Sequence, residues 1–134
     1  MAIQGIGSDI VEVSRIKRLR KSYGSRFLKR VYTKGEIAYC ESKEHPEIHF
    51  AGRFAAKEAI AKAVYQSGYD KVIPFSAIEI LNDTEGRPQV SFLIHISGNC
   101  LVTISHEQAM AIAPINETTS CIRIPFMGKR TPER

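Results

Sequence analysis

Tryptophan is absent from this 134-residue chain, and aromatic residues make up only 8% of it. Modules that bind single-stranded nucleic acid stack bases on aromatic side chains set among basic ones, and no such interleaving occurs here. Cysteine is scarce too. Cys40, Cys100 and Cys121 are an odd number at wide spacing, with no C-x-x-C pair. That argues against a disulfide framework and a cysteine-based zinc site, and leaves the thiols as small buried hydrophobes. No stretch approaches the roughly 20 apolar residues of a membrane-spanning helix. Asp9 and Glu12 interrupt the apolar start before it could form a secretory signal. The cytosol is therefore the expected location, with neither a membrane nor nucleic acid as the expected partner. Repeats and low-complexity segments are also missing, and the length fits one domain, residues 1–134, with 127–134 read as a frayed tail.

What is present is ordinary in bulk and uneven in distribution. Hydrophobic residues are 43% and charged residues 25%, the balance of a globular protein. The formal charge is +5, and much of the excess sits in Arg15, Lys17, Arg18, Arg20, Lys21, Arg26, Lys29 and Arg30. Such a run attracts phosphates, nucleic acid, anionic membranes or an acidic protein, or is simply a solvated helix face. Composition does not separate these readings.

The first half reads as helices and the second as hairpins. Residues 3–9 form a short Gly-containing strand ending at Asp9. From Ser14 the pattern turns helical, with Ile16 and Leu19 on one side and Gly24 as the stop. Ser25 is expected to cap a short helix carrying Phe27, Leu28 and Val31. Thr33-Lys34-Gly35-Glu36 fits a capping box that opens a helix through Tyr39. Residues 41–46 read as loop. A long Ala-rich helix then runs from about Glu47 to Gln66, with Gly68 as its terminator. Strands are expected over 75–81, 89–96, 100–105 and 109–115, with a further one over 120–126; residues 82–88 carry turn chemistry. The fold class is α+β: a mostly antiparallel sheet with N-terminal helices packed on it.

Two acidic residues carry the chemical interest. Asp9 follows Gly5-Ile6-Gly7-Ser8, and Glu58 sits in Phe54-Ala55-Ala56-Lys57-Glu58-Ala59-Ile60-Ala61-Lys62. If the fold unites them, they form a hard-oxygen site for a divalent cation, with Lys62 one helical turn beyond Glu58. A carboxylate pair beside an ammonium suits phosphoryl or phosphodiester chemistry. Each residue has a plainer reading, Asp9 as a cap or turn and Glu58–Lys62 as a surface ion pair. Arg53 and Lys57 share another face of the helix. His106, between two strands, is either structural or a phosphate ligand or base. A dinucleotide fingerprint fits poorly, since the third glycine and a following parallel βαβ unit are missing, and a P-loop is excluded because no Gly-Lys-Ser/Thr run follows.

Gly5-Ile6-Gly7-Ser8-Asp9-Ile10-Val11-Glu12-Val13, Arg15, the Arg53–Lys62 helix and Ile104-Ser105-His106-Glu107 together resemble the holo-[acyl-carrier-protein] synthase family of small phosphopantetheinyl transferases. The match runs in order from residue 3 to about 113. The resemblance implies an Mg²⁺-dependent enzyme that moves the 4′-phosphopantetheine arm of coenzyme A onto a serine of acyl carrier protein, supporting fatty acid biosynthesis. It assigns Asp9, Glu58 and Lys62 to catalysis, Asp9 and Glu58 to the metal, and Arg53, Lys62, Ser105 and His106 to coenzyme A. Lys62 falls at the diphosphate, and Arg53 and His106 at the 3′-phosphate end. Arg15, Arg18 and Arg26 fall on the surface that docks the acidic carrier, and the assembly implied is a homotrimer. Two stretches depart from the family pattern. Only Ser97-Gly98-Asn99 stands where relatives usually carry an amphipathic helix, which should uncover one side of the sheet, and the segment after Ala113 is atypical. The competing reading is a non-catalytic basic module that binds a polyanion or nucleic acid.

Overall fold

The computed structural model describes residues 3–105 and 109–115, the latter as backbone only. His106, the expected strand over 120–126 and the tail over 127–134 lie outside the described residues. The described chain is α+β, and every strand pair in it is antiparallel. Strand β1 (Gly5–Asp9) leads into helices α1 (Val13–Tyr23), α2 (Ser25–Val31), α3 (Lys34–Glu41) and α4 (Pro46–Gln66). Strands β2 (Ile78–Asn82), β3 (Pro88–Phe92), β4 (Asn99–Ile104) and β5 (Ala109–Ile115) follow. They make two sheets rather than one, β1-β5-β4 and β2-β3. Helix α4 lies on the first sheet, and α1 to α3 pack mainly on α4, β2 and the turn at 75–77.

Local chemistry accounts for most boundaries. The capping box forms: Thr33 Oγ1 accepts from the Glu36 N–H, and the Glu36 carboxylate accepts from the Thr33 N–H. Pro46 occupies the first turn of α4, where its missing N–H costs nothing. Gly24 and Gly68 take positive φ, 52° and 101°, and the helices before them end there. Ser25 does not cap α2; Gly24 holds that position, and no side-chain cap bond forms. The expected strand over 75–81 begins instead as a 3₁₀ turn, Phe75–Ala77, entered through Pro74, so pairing starts at Ile78. The returning strand ends at Phe92 rather than at residue 96.

Two apolar clusters share α4. One joins Ala55, Ala56, Ala59, Ile60, Ala63 and Val64 to Ile73, Ile78 and Ile80. The other gathers Ile16, Leu28, Tyr32, Cys40, Phe50 and Phe54 under the first three helices. The alanine stripe lets α4 approach the sheet closely, and at Gly7 backbone meets backbone. A Cβ on Gly7 would lie 1.9 Å from the Ala59 carbonyl oxygen, so β1 crosses the helix backbone to backbone. Val90, Phe92, Ile96 and Val102 pack half-buried against the first cluster, and Leu93 is exposed.

Candidate active site

The Gly7–Ala59 crossing sets what lies around it. Asp9 is two residues beyond Gly7 on β1, and Glu58 and Lys62 flank Ala59 on α4. The three side chains converge. Lys62 Nζ donates to Asp9 Oδ1 at 3.0 Å and to the Ser8 carbonyl at 3.1 Å. The i,i+4 ion pair with Glu58 is not what Lys62 makes; it reaches across to β1. Asp9 is mostly enclosed, with its side chain 13% exposed against 57% for Lys62. An ion pair of that exposure is worth about 1 kcal/mol or less.

Glu58 faces Asp9. Desolvation, followed by contact with the Asp9 carboxyl, pushes the Glu58 carboxyl up to about 7, against the pull of Lys62 and Arg15. With both groups ionised, Asp9 Oδ2 is buried and receives no hydrogen bond. A proton on Glu58 turns the contact into a hydrogen bond. A divalent cation would answer the pair more fully, giving Glu58 a positive partner and Asp9 Oδ2 the contact it lacks. No group of three or more His, Cys, Asp or Glu residues stands ready for a metal among the described residues. Among the described residues the donor set is two carboxylates, which suits a cation that keeps waters and takes substrate oxygens.

On another side of α4 a cavity of about 200 Å³ is lined by Arg53, Tyr39, His49, Asn82 and Ser105, among others, and excludes Asp9 and Glu58. Arg53 is buried, and no carboxylate pairs with it among the described residues. Its Nε donates to the Ile80 carbonyl at 3.1 Å, and its guanidinium stacks on the Tyr39 ring at 4.1 Å. Arg53 and Ser105 therefore meet, away from the carboxylates. Arg15, Arg18 and Arg26 are all exposed on α1 and α2, and Arg15 is near enough to Glu58 to act on its charge.

Sequence reasoning missed the Glu36–Lys57 pair. Both side chains are fully buried, and Nζ lies 2.6 Å from Glu36 Oε1. The ammonium also donates to the carbonyls of Val31, Phe75 and Ile78, at 2.8, 2.8 and 2.6 Å. Glu36 Oε2 accepts from the Ile80 N–H at 3.0 Å. The available signal was the apolar company of Lys57 on its own face, with Phe54, Ile60 and Ala61 three and four residues away.

Residues 5–114 match the model of the 4′-phosphopantetheinyl transferase superfamily. A holo-[acyl-carrier-protein] synthase of Protochlamydia amoebophila is 47% identical, covering 76% of this chain and 87% of its own. The crystal structure of the synthase from Neisseria meningitidis superposes with a TM-score of 0.66 at 31% identity, covering 83% and 96% of the two chains. A synthase from Bacillus anthracis in complex with CoA (3′,5′-ADP) gives 0.62 at 32%, covering 82% and 93%. The chain belongs to the 4′-phosphopantetheinyl transferase superfamily, in its holo-[acyl-carrier-protein] synthase family.

Proposed function

We propose that this protein transfers the 4′-phosphopantetheine group of coenzyme A to a serine of apo acyl carrier protein, with Mg²⁺, releasing adenosine 3′,5′-bisphosphate and supplying holo carrier to fatty acid biosynthesis. The observation that carries the reading is the convergence of Asp9, Glu58 and Lys62 at one strand–helix crossing. Asp9 and Glu58 would hold the metal, through the donorless Asp9 Oδ2 and the facing Glu58 carboxylate. When bound, Mg²⁺ supplies Lewis-acid polarisation of the diphosphate and neutralises charge developing on the leaving bisphosphate. Lys62, exposed beside this pair, supplies a point charge for the diphosphate. The buried guanidinium of Arg53, which no carboxylate pairs with among the described residues, lies beside Ser105 and suits the 3′-phosphate end of the nucleotide, with His106 next in sequence. The exposed Arg15, Arg18 and Arg26 give an acidic carrier a basic surface to dock on.

The assembly proposed is a homotrimer. In its support, Ile6 and Leu101 are 42% and 49% exposed on the sheet face away from α4, aligned across position 112 of the central strand. The location proposed is the cytoplasm; among the described residues no helix is long and apolar enough to cross a membrane.

Incubation with coenzyme A, Mg²⁺ and apo acyl carrier protein, read by mass spectrometry, should yield the phosphopantetheine adduct. Asp9→Ala and Glu58→Ala should each abolish most turnover while leaving the circular dichroism spectrum unchanged. Near-normal turnover in either variant rejects the metal-site reading. His106→Ala should weaken coenzyme A binding, and an unchanged dissociation constant removes His106 from the site.

A further inference from the structure

We infer that Lys62 is a displaceable counter-ion of Asp9, whose charge opposes a divalent cation there and which a diphosphate draws away, so that cation and coenzyme A bind cooperatively through this one side chain. The inference rests on the reading of Asp9 and Glu58 as cation ligands. Its observations are geometric. The Lys62 ammonium sits on Asp9 Oδ1 at 3.0 Å and on the Ser8 carbonyl at 3.1 Å, and it points at β1 rather than at its helical neighbour Glu58. Two carboxylates facing each other need positive charge, and in this arrangement Lys62 supplies it by direct contact, with Arg15 farther out.

A divalent cation seated on Asp9 would bring like charge well within a Debye length of the ammonium, so the repulsion is only partly screened. The two cations therefore repel each other across one carboxylate. Lys62 is the one free to move: its side chain is 57% exposed, its hydrogen bonds among the described residues are those to Asp9 and Ser8, and its stem has four rotatable carbons. Leaving is costly only if nothing receives the ammonium. A diphosphate does receive it, since lysine binds phosphate oxygens as a point charge. Each ligand then removes an obstacle to the other. By linkage, the factor by which the diphosphate raises cation affinity equals the factor by which the cation raises diphosphate affinity.

The test uses the intact protein and Mn²⁺, followed by electron paramagnetic resonance, alone and then with coenzyme A. Lys62→Met should bind Mn²⁺ alone about fivefold more tightly than the wild type, the loss of one exposed ion pair. The same variant should bind coenzyme A more weakly and show less mutual enhancement. Arg15→Gln removes a nearby charge without vacating Asp9, and should change Mn²⁺ affinity by less than about twofold. Unchanged or weaker Mn²⁺ binding in Lys62→Met overturns the inference, as does an Arg15→Gln effect of equal size. A wild type that binds no Mn²⁺ even with coenzyme A removes the cation reading itself. If Lys62→Met does not fold, the ¹⁵N signal of the Lys62 ammonium in the wild type decides. It should move on saturation with Mg²⁺ and coenzyme A, and a stationary signal overturns the inference.

Discussion

Lys57 and Glu58 are neighbours on α4, and they live in opposite electrostatic worlds. Lys57 is fully buried, and its ammonium faces Glu36 and three backbone carbonyls. Burial still lowers its pKa, with Glu36 opposing the drop. Glu58 is half-buried, faces a second carboxylate, and has a raised pKa. At Lys57 the charge is answered within the fold. On the Glu58 face a carboxylate oxygen is left without a donor. One helix thus separates a site that holds the molecule together from a site that waits for a ligand. Local rules are satisfied where structure is the purpose and broken where binding is.

The largest effect should come from breaking the satisfied face. Lys57→Met leaves the Glu36 carboxylate buried and unpaired, and should cost about 3–5 kcal/mol in urea denaturation. Combining it with Glu36→Leu should recover only part of that loss. The carbonyls of Val31, Phe75 and Ile78 would still lose the ammonium, and the Ile80 N–H its acceptor. A variant as stable as the wild type would show that the network contributes nothing.

The crossing that joins the two faces to the sheet comes next. Gly7→Ala drives a methyl into the Ala59 carbonyl, and backbone rather than a flexible side chain must move. The expected cost is about 3 kcal/mol, with Asp9 drawn away from Glu58. The folded fraction at low temperature should therefore be as inactive as Asp9→Ala. Full activity in a folded Gly7→Ala protein would mean that the close approach does not set the site.

How much of this could be read in advance follows the range of each interaction. The capping box at Thr33–Glu36 and the helix stops at Gly24 and Gly68 are local, and they were legible. The α+β class was legible from the change of period along the chain. Asp9, Glu58 and Lys62 were legible as a group because their local settings match a family. The ion pair Lys62 makes with β1 instead of Glu58 was not, since it depends on where α4 crosses the strand. Glu36 was visible as a cap but not as the partner of Lys57; that pairing belongs to tertiary packing. The 3₁₀ entry at Phe75 and the division into two sheets likewise depend on how β2 and β3 sit against α4.

A smaller effect should separate the docking surface from the nucleotide. Arg15→Glu reverses a charge on the exposed face of α1 and should raise the KM for carrier protein about tenfold, a difference near 1.4 kcal/mol. The KM for coenzyme A should change far less. Equal changes would take Arg15 off the docking surface and place it with the Glu58 cluster, on whose charge it already acts.

The subtlest prediction has a sign opposite to the Lys57 one. A carboxyl whose pKa is higher in the folded state costs stability only when it must ionise there. For Glu58 that cost is absent below its unfolded value near 4.5, grows as pH rises, and is fully present above about 7. Glu58→Gln removes it. In EDTA the variant should therefore melt at the wild-type temperature at pH 4 and above it at pH 8. Because the carboxyl is only half-buried, solvent screening should hold the gain to about 1 kcal/mol. For a domain of this size that is a rise of roughly 3–5 °C. The same variant should be inactive, since an amide neither ligates the cation as strongly nor carries its charge. A variant that is less stable than the wild type at pH 8 would mean that Glu58 is already satisfied within the fold. The contrast between the two faces of α4 would then disappear.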